Sequence, residues 1–150
     1  MVSEFEQFGF FKILQQFRHI RWGSNLKEMT QLEYVALTTI HHAQAAQPDR
    51  PGVYVSALAE ELATSVSMVS KMLKSLEEKG WILRTIDPGS RRNTFVSLTA
   101  EGRRLYTEET ARAAAVNRRV MEHMGQETMA RFLQDAEKLA ECFAQELGTT

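Results

Sequence analysis

Three small hydroxyls and two lysines cluster on one short stretch: Ser65, Ser67 and Ser70, then Lys71 and Lys74, with Met68 among them. The set suits contact with a polyanion rather than bond-making. Hydroxyls at a helix start meet phosphate oxygens alongside the free amides there. Lysine reaches guanine or phosphate, and methionine can touch a thymine methyl. Further on stand Arg84 and the adjacent pair Arg91 and Arg92. Arginine fits a narrow, negative minor groove, so Arg92 is expected to enter one while Arg91 lies over the backbone. There is no glycine-rich phosphate loop, no metal-spaced His/Glu pair and no nucleophile elbow, so an enzyme is not expected. Paired glutamates such as Glu60-Glu61 and Glu77-Glu78 read as solvated helix faces.

The elements that position these residues run from Val55 to Gly102. Leu58, Leu62 and the alanines between them form one apolar stripe, and Val66, Val69, Leu73 and Leu76 form a second at helical spacing. Ser56 and Ser65 stand where N-caps belong. The second helix is expected to end at Lys79-Gly80, a cation in the last turn followed by a residue free to turn left-handed. The period then changes. Residues Trp81 to Ile86 read as a strand, Asp87-Pro88-Gly89-Ser90 as a turn and Thr94 to Leu98 as a second strand. Two helices, a tight joint and a hairpin make a helix-turn-helix with a β wing, whose second helix fits a major groove.

The pieces LAEEL, SVSMVSKMLKSLEEKGWILR, DPGSRR and VSLTAEG resemble the MarR family of bacterial transcription regulators, in order and in spacing. That family usually carries Asp two residues before the wing-tip arginine. Ser90 stands there in this chain, so Arg92 is expected to be held less firmly. The resemblance spans nearly the whole chain. It implies a ligand-responsive repressor, acting as a homodimer in which the first helix and the last two interlock with a twin subunit. It also implies a pocket for phenolic or other aromatic effectors where those helices meet the winged segment, with Phe11, Arg18, Trp22, Tyr34 and His41 as its lining. No cofactor or metal is implied. Some relatives sense oxidants through a cysteine near the first helix, and this chain has none there.

Composition agrees with such a protein. The 150 residues, 43% hydrophobic and 25% charged, suffice for one domain with a core. No apolar run approaches membrane-spanning length, and Glu4 and Glu6 stand where a signal peptide would be basic, so the cytoplasm is expected. The net charge of −1 speaks weakly against nucleic acid, but its distribution does not. Residues 65–104 hold eight lysines and arginines against four acids, a local basic face on an acidic body.

The flanks read as helices. Residues 4–22 carry Phe5, Phe8, Phe10, Phe11 and Phe17, five of the eight phenylalanines, on a face too broad for one neighbour. Gly23-Ser24-Asn25 is expected to end that helix. Thr30 and Glu33 form a capping box opening a helix to about Gln47, with Leu32, Val35/Ala36, Thr39/Ile40 and Ala43 on its inner face. His41 and His42 point about 100° apart there, a poor metal pair. Val53-Tyr54-Val55 is expected to pair with the wing. Thr99 caps a long helix interrupted at Gly125, and Met129, Phe132/Leu133, Ala136, Leu139/Ala140, Phe143 and Leu147 form a seam in the last one. Cys142, the single cysteine, is read as a small buried residue of that seam.

The expected fold class is mainly α (α+β). It comprises one 1–150 domain, with the winged helix-turn-helix at about 30–99 and dimerisation helices at about 4–22 and 100–147. The expected partners are double-stranded DNA, as a pseudo-palindromic operator, and a second copy of the chain. Two rival readings are a winged-helix protein-interaction module and a small-molecule-binding protein whose DNA role is secondary. The basic excess and the hydroxyl-rich helix start favour DNA over the first.

Overall fold

Thr30 starts a helix because its hydroxyl accepts the Glu33 amide at 3.3 Å while the Glu33 carboxylate accepts the Thr30 amide at 2.9 Å. The computed structural model describes residues 4–149, with side chains from Phe8 onward. Phe5, counted above in the aromatic face, therefore lies outside the described side chains. The order is α1 (Glu4–His19), α2 (Gln31–Ala46), β1 (Val53–Tyr54), α3 (Val55–Glu61), α4 (Val66–Glu78), β2 (Ile82–Asp87), β3 (Ser90–Leu98), α5 (Ala100–Met124) and α6 (Gln126–Leu147). Two compact units form, Met1–Thr110 and Ala111–Thr150.

In the first unit the core gathers Leu37 and Ile40 from α2, Leu58 from α3, Val69, Leu73 and Leu76 from α4, and Ile82, Val96 and Leu105 beyond them. The inner face of α2 keeps Ala36 and Ile40 of the expected set but not Leu32 or Val35. It carries Glu33, Ala36, Leu37 and Ile40, while Leu32 is 57% exposed and Val35 also faces out. Apolar residues permit either face; Glu33, drawn inward by its cap and by an ion pair with Lys79, selects this one. In α4, Val66 is exposed although it continues the stripe of Val69, Leu73 and Leu76. At the first turn the stripe has already left the core.

Ser65 caps α4 as expected, accepting the Met68 amide at 3.2 Å. Ser56 does not cap α3. That helix starts directly from β1, with Tyr54 at the cap position and no side-chain cap bond, because the pairing of Tyr54 with Phe95 fixes the chain there. In the joint between α3 and α4, Ala63 adopts φ 48°, a left-handed conformation at a residue other than glycine. Gly80, at φ +73°, ends α4 in the left-handed turn foreseen for it.

The sheet has order β1-β3-β2 and is antiparallel throughout, with Val53 opposite Val96 and Ile82 opposite Leu98. The start of α5 is locked onto this base. Thr99 Oγ1 accepts the Gly102 amide at 3.0 Å and donates to the Gly80 carbonyl at 2.7 Å. The buried Glu109 accepts the amides of Lys27 and Glu28 at 3.2 and 3.1 Å, tying the segment before α2 to α5.

Helix α1 stops at His19, three residues short of the expected end. The chain turns back so that the Trp22 ring stacks on Phe17 at 5.9 Å and its Nε1 donates to the Phe17 carbonyl at 3.0 Å. Phe8, Phe11, Ile13, Leu14 and Phe17 on α1 are exposed. In the second unit, Gly125 at φ +81° separates α5 from α6. No residue of α6 is buried; Phe132, Leu133, Leu139, Phe143 and Leu147 face outward. Cys142 is exposed too, where the sequence suggested a buried residue of that seam. Among the described residues no helix is long and apolar enough to cross a membrane.

Candidate nucleic-acid interface

Helix α4 buries Val69, Leu73 and Leu76 and so must turn its other side outward. Ser67, Met68, Lys71 and Lys74 lie on that outer side, and all four are exposed. Ser65, also exposed, has its oxygen engaged with the Met68 amide. Ser70 is half-buried. It shares a cleft of about 260 Å³ with Arg84 and Arg92, so the geometry joins α4 to the wing at this point.

The wing is β2 and β3 joined through Pro88-Gly89, with a register shift between Ile86 and Asp87. Such an irregularity twists and bends the ribbon. Asp87 holds the turn, since its carboxylate accepts the Tyr54 hydroxyl at 2.7 Å and the Gly89 amide at 2.8 Å. The Tyr54 hydrogen bond, with the Gly89 amide second, keeps this carboxyl below the usual range. Arg91 and Arg92 follow at the start of β3, both exposed, and as neighbours on a strand they leave it toward opposite faces.

The ion pairs sort the basic excess. Lys79 is paired with Glu33 and lies 4.6 Å from the Trp81 ring centroid. Burial pushes the Glu33 carboxyl up, but the hydrogen bonds from Lys79 and the Thr30 amide, with the Lys79 charge, hold it below its ordinary value. Arg84 donates through Nε to Glu77 at 2.9 Å, which ties β2 to α4 and lowers the Glu77 carboxyl. Arg104 is shared between Glu101 and Glu108. Among the described residues no ion pair occupies Lys71, Lys74, Arg91 or Arg92. These four cations, free of ion pairs, lie on the outer side of α4 and on the wing.

The five residues expected around an effector separate into two groups. Tyr34 and His41 both stack on Tyr106, at 6.3 and 4.3 Å, and the Tyr34 hydroxyl meets Thr110 at 3.2 Å. Phe11 packs edge-on against Phe10 at 6.0 Å, Trp22 is held on Phe17, and Arg18 is exposed. The His41 and His42 rings meet edge-on, and among the described residues no group of three metal-ligating side chains forms. Sequence reasoning missed Tyr54 and Asp87. The signal available was an aromatic residue in a short strand predicted to pair with the wing, but nothing in the spacing marks a bond to the turn.

A helix-turn-helix followed by a two-stranded wing defines the class: a winged helix-turn-helix protein. The MarR family model matches residues 29–94, which cover α2 through most of the wing. The transcriptional regulator HosA of Escherichia coli O111:H- is 27% identical over 119 residues, spanning 79% of this chain and 83% of that one. The PcaV transcriptional regulator from Streptomyces coelicolor, solved in complex with its natural ligand, superposes with TM-score 0.69 at 22% identity over 88% of this chain and 89% of that one. MepR of S. aureus, solved as a DNA complex, superposes with TM-score 0.74 at 20% identity over 89% and 96% of the two chains. The MarR family match thus falls on the winged-helix segment of this chain, from α2 into the wing.

Proposed function

We propose that the chain is a ligand-responsive DNA-binding transcription regulator, a repressor that binds an inverted-repeat operator as a homodimer in the cytoplasm. One observation carries the reading. Four cations without ion pairs, Lys71, Lys74, Arg91 and Arg92, gather on the outer side of α4 and the adjoining wing. In this reading α4 enters the major groove. Ser65 and Ser67 meet phosphates at its start, Met68 and Lys71 face base edges, and Ser70 and Lys74 reach the backbone. Arg91 follows the backbone and Arg92 enters the minor groove. Arg84, spent on Glu77, serves chiefly to position β2 against α4. The solved DNA complex of MepR and ligand complex of PcaV support both halves of the proposal.

The dimer is supported by the exposed apolar faces of α1 and α6, since contiguous surfaces of this kind mark association. The two units would then serve one regulator. The effector residues Tyr34 and His41, with Phe11, Arg18 and Trp22 from the segment before them, belong to the same proposal. No catalytic step is part of it. The experiment is selection of bound DNA from a random pool by the full chain. Recovered sites should carry dyad symmetry with half-site centres about 10 base pairs apart, one helical turn. Recovery of no sequence, or of sites without symmetry, would favour a protein-interaction module instead.

A further inference from the structure

We infer that the cleft between α3, the first half of α4 and the start of β3 is a clamp for one backbone phosphate of DNA, formed by Ser56, Ser70, Asn93 and Thr94. Resting on the regulator reading proposed above, this site adds Ser56, Asn93 and Thr94 to the DNA-facing residues. The cleft measures about 260 Å³, and Arg84 and Arg92 also line it. Among the described residues no carboxylate lines it.

The side chains of Ser56, Ser70, Asn93, Thr94 and Arg92 make no hydrogen bond or ion pair among the described residues. Local structure leaves them so. Tyr54 fixes the start of α3 through its pairing with Phe95, and the Ser56 hydroxyl is not spent as a cap. Ser65 caps α4, so Ser70, further along the helix, has no cap to make. The wing register sets Asn93. Ile86 pairs with Thr94 and Asp87 with Ser90, which leaves Arg91, Arg92 and Asn93 without partners on β2. On the other side β1 pairs only with Phe95 and Val96. Strict alternation would send Arg92 and Asn93 to opposite faces, but in this bulge both line the cleft.

The occupant follows from what stands on either side. In the proposed reading α4 lies in the major groove and Arg92 in the adjoining minor groove. One sugar-phosphate strand divides the two grooves, so that strand passes between α4 and the start of β3, where the cleft lies. Hydroxyls and side-chain amides are among the groups that hold phosphates in register. A carboxylate here would repel the strand. Arg84 borders the cleft but donates to Glu77 through Nε and Nη2. The clamp therefore works through uncharged donors, while Arg92 reaches past it. A strand held there fixes how far apart α4 and Arg92 stand on the DNA.

The test uses the full chain and a selected operator in which one phosphate at a time is replaced by an uncharged methylphosphonate, read by fluorescence anisotropy. The variant is Ser56→Ala/Asn93→Ala. Both residues are exposed, so its thermal midpoint should match the wild type. It should bind the unmodified operator about tenfold more weakly, with the salt slope unchanged because no charge is removed. In the wild type, methylphosphonate at one position of each half-site, between the major-groove bases and the flanking minor groove, should weaken binding by a similar factor. The variant should lose nothing further at that position and should respond like the wild type elsewhere. Wild-type affinity in the variant, or the same methylphosphonate profile in both proteins, would overturn the clamp and leave the regulator reading standing. Recovery of no operator from the random pool would overturn both.

Discussion

The Tyr54 hydroxyl donates to Asp87 Oδ2 across 2.7 Å, so the residue that opens α3 also fastens the turn of the wing. Ser90, standing where an aspartate is usual in the resembling family, had suggested a loosely held Arg92. The structure anchors the turn from the other side, through Asp87. Replacing Tyr54 by phenylalanine removes one hydrogen bond and little packing, because the ring stays stacked on Phe95. DNA affinity should fall about three- to tenfold with the thermal midpoint nearly unchanged. Fluorescence anisotropy with a selected operator measures the first, and hydrogen exchange of the wing amides should quicken alongside. Unaltered affinity and exchange would mean the bond does not set the wing.

Glu33 links two elements, capping α2 and pairing with Lys79 at the end of α4. Loss of its side chain in Glu33→Ala should cost about 1–2 kcal/mol, read from urea denaturation at neutral pH. The pH dependence has a definite sign. The folded carboxyl titrates below its ordinary value, so its contribution is complete above the unfolded value near 4.5 and declines as pH falls through the lower, folded one. The wild type should therefore lose stability on acidification below that point, and Glu33→Gln should lose less. Equal acid limbs in the two proteins would remove Glu33 from the account.

Much of this fold is legible in the sequence because its signals are local. The Thr30–Glu33 capping box, the Ser65 cap, the left-handed Gly80 and the Asp87-Pro88-Gly89 turn are each set by residues within four positions of one another. The misreadings share one cause. Leu32, Val35 and Val66 obey helical spacing yet face outward, because which side of a helix is buried is decided by partners distant in sequence, Lys79 for Glu33 among them. The same holds for the site. Lys71, Lys74, Arg91 and Arg92 are recognisable by type and spacing, whereas the sequestering of Arg84 by Glu77 and the bond from Tyr54 to Asp87 depend on tertiary pairing.

Gly102 sits where α5 leaves the wing, and a Cβ there would lie 2.0 Å from the Trp81 carbonyl oxygen, a backbone atom that cannot swing aside. Gly102→Ala should destabilise the protein by about 1–3 kcal/mol or more. Gly89→Ala is the control, since its Cβ would meet only the Asp87 side chain at 3.4 Å. It should stay within about 0.5 kcal/mol of the parent. Denaturant midpoints for the two variants, measured together, check the contrast.

If α6 docks against a second copy, Leu139 changes from an exposed residue of one chain to a buried residue of the dimer. Light scattering should give the dimer mass for the wild type at micromolar concentration and a monomer mass for Leu139→Glu. For a protein monomeric from the outset, the same substitution at an exposed site should alter stability by no more than about 0.5 kcal/mol and leave the mass unchanged.

The most direct measurement is the affinity for a selected operator across a salt series, for the wild type and for Lys74→Ala and Arg92→Ala. Lys71, Lys74, Arg91 and Arg92 supply four unpaired cations per subunit. With each phosphate contact contributing about −0.9 to the slope of log affinity against log salt, a dimer using most of the eight should show a slope near −6 or −7. Lys74→Ala should flatten that slope while keeping the order of preference among operator variants, and Arg92→Ala should weaken binding with the fold intact. An affinity that does not change with salt, or slopes identical in all three proteins, would contradict DNA recognition through this face.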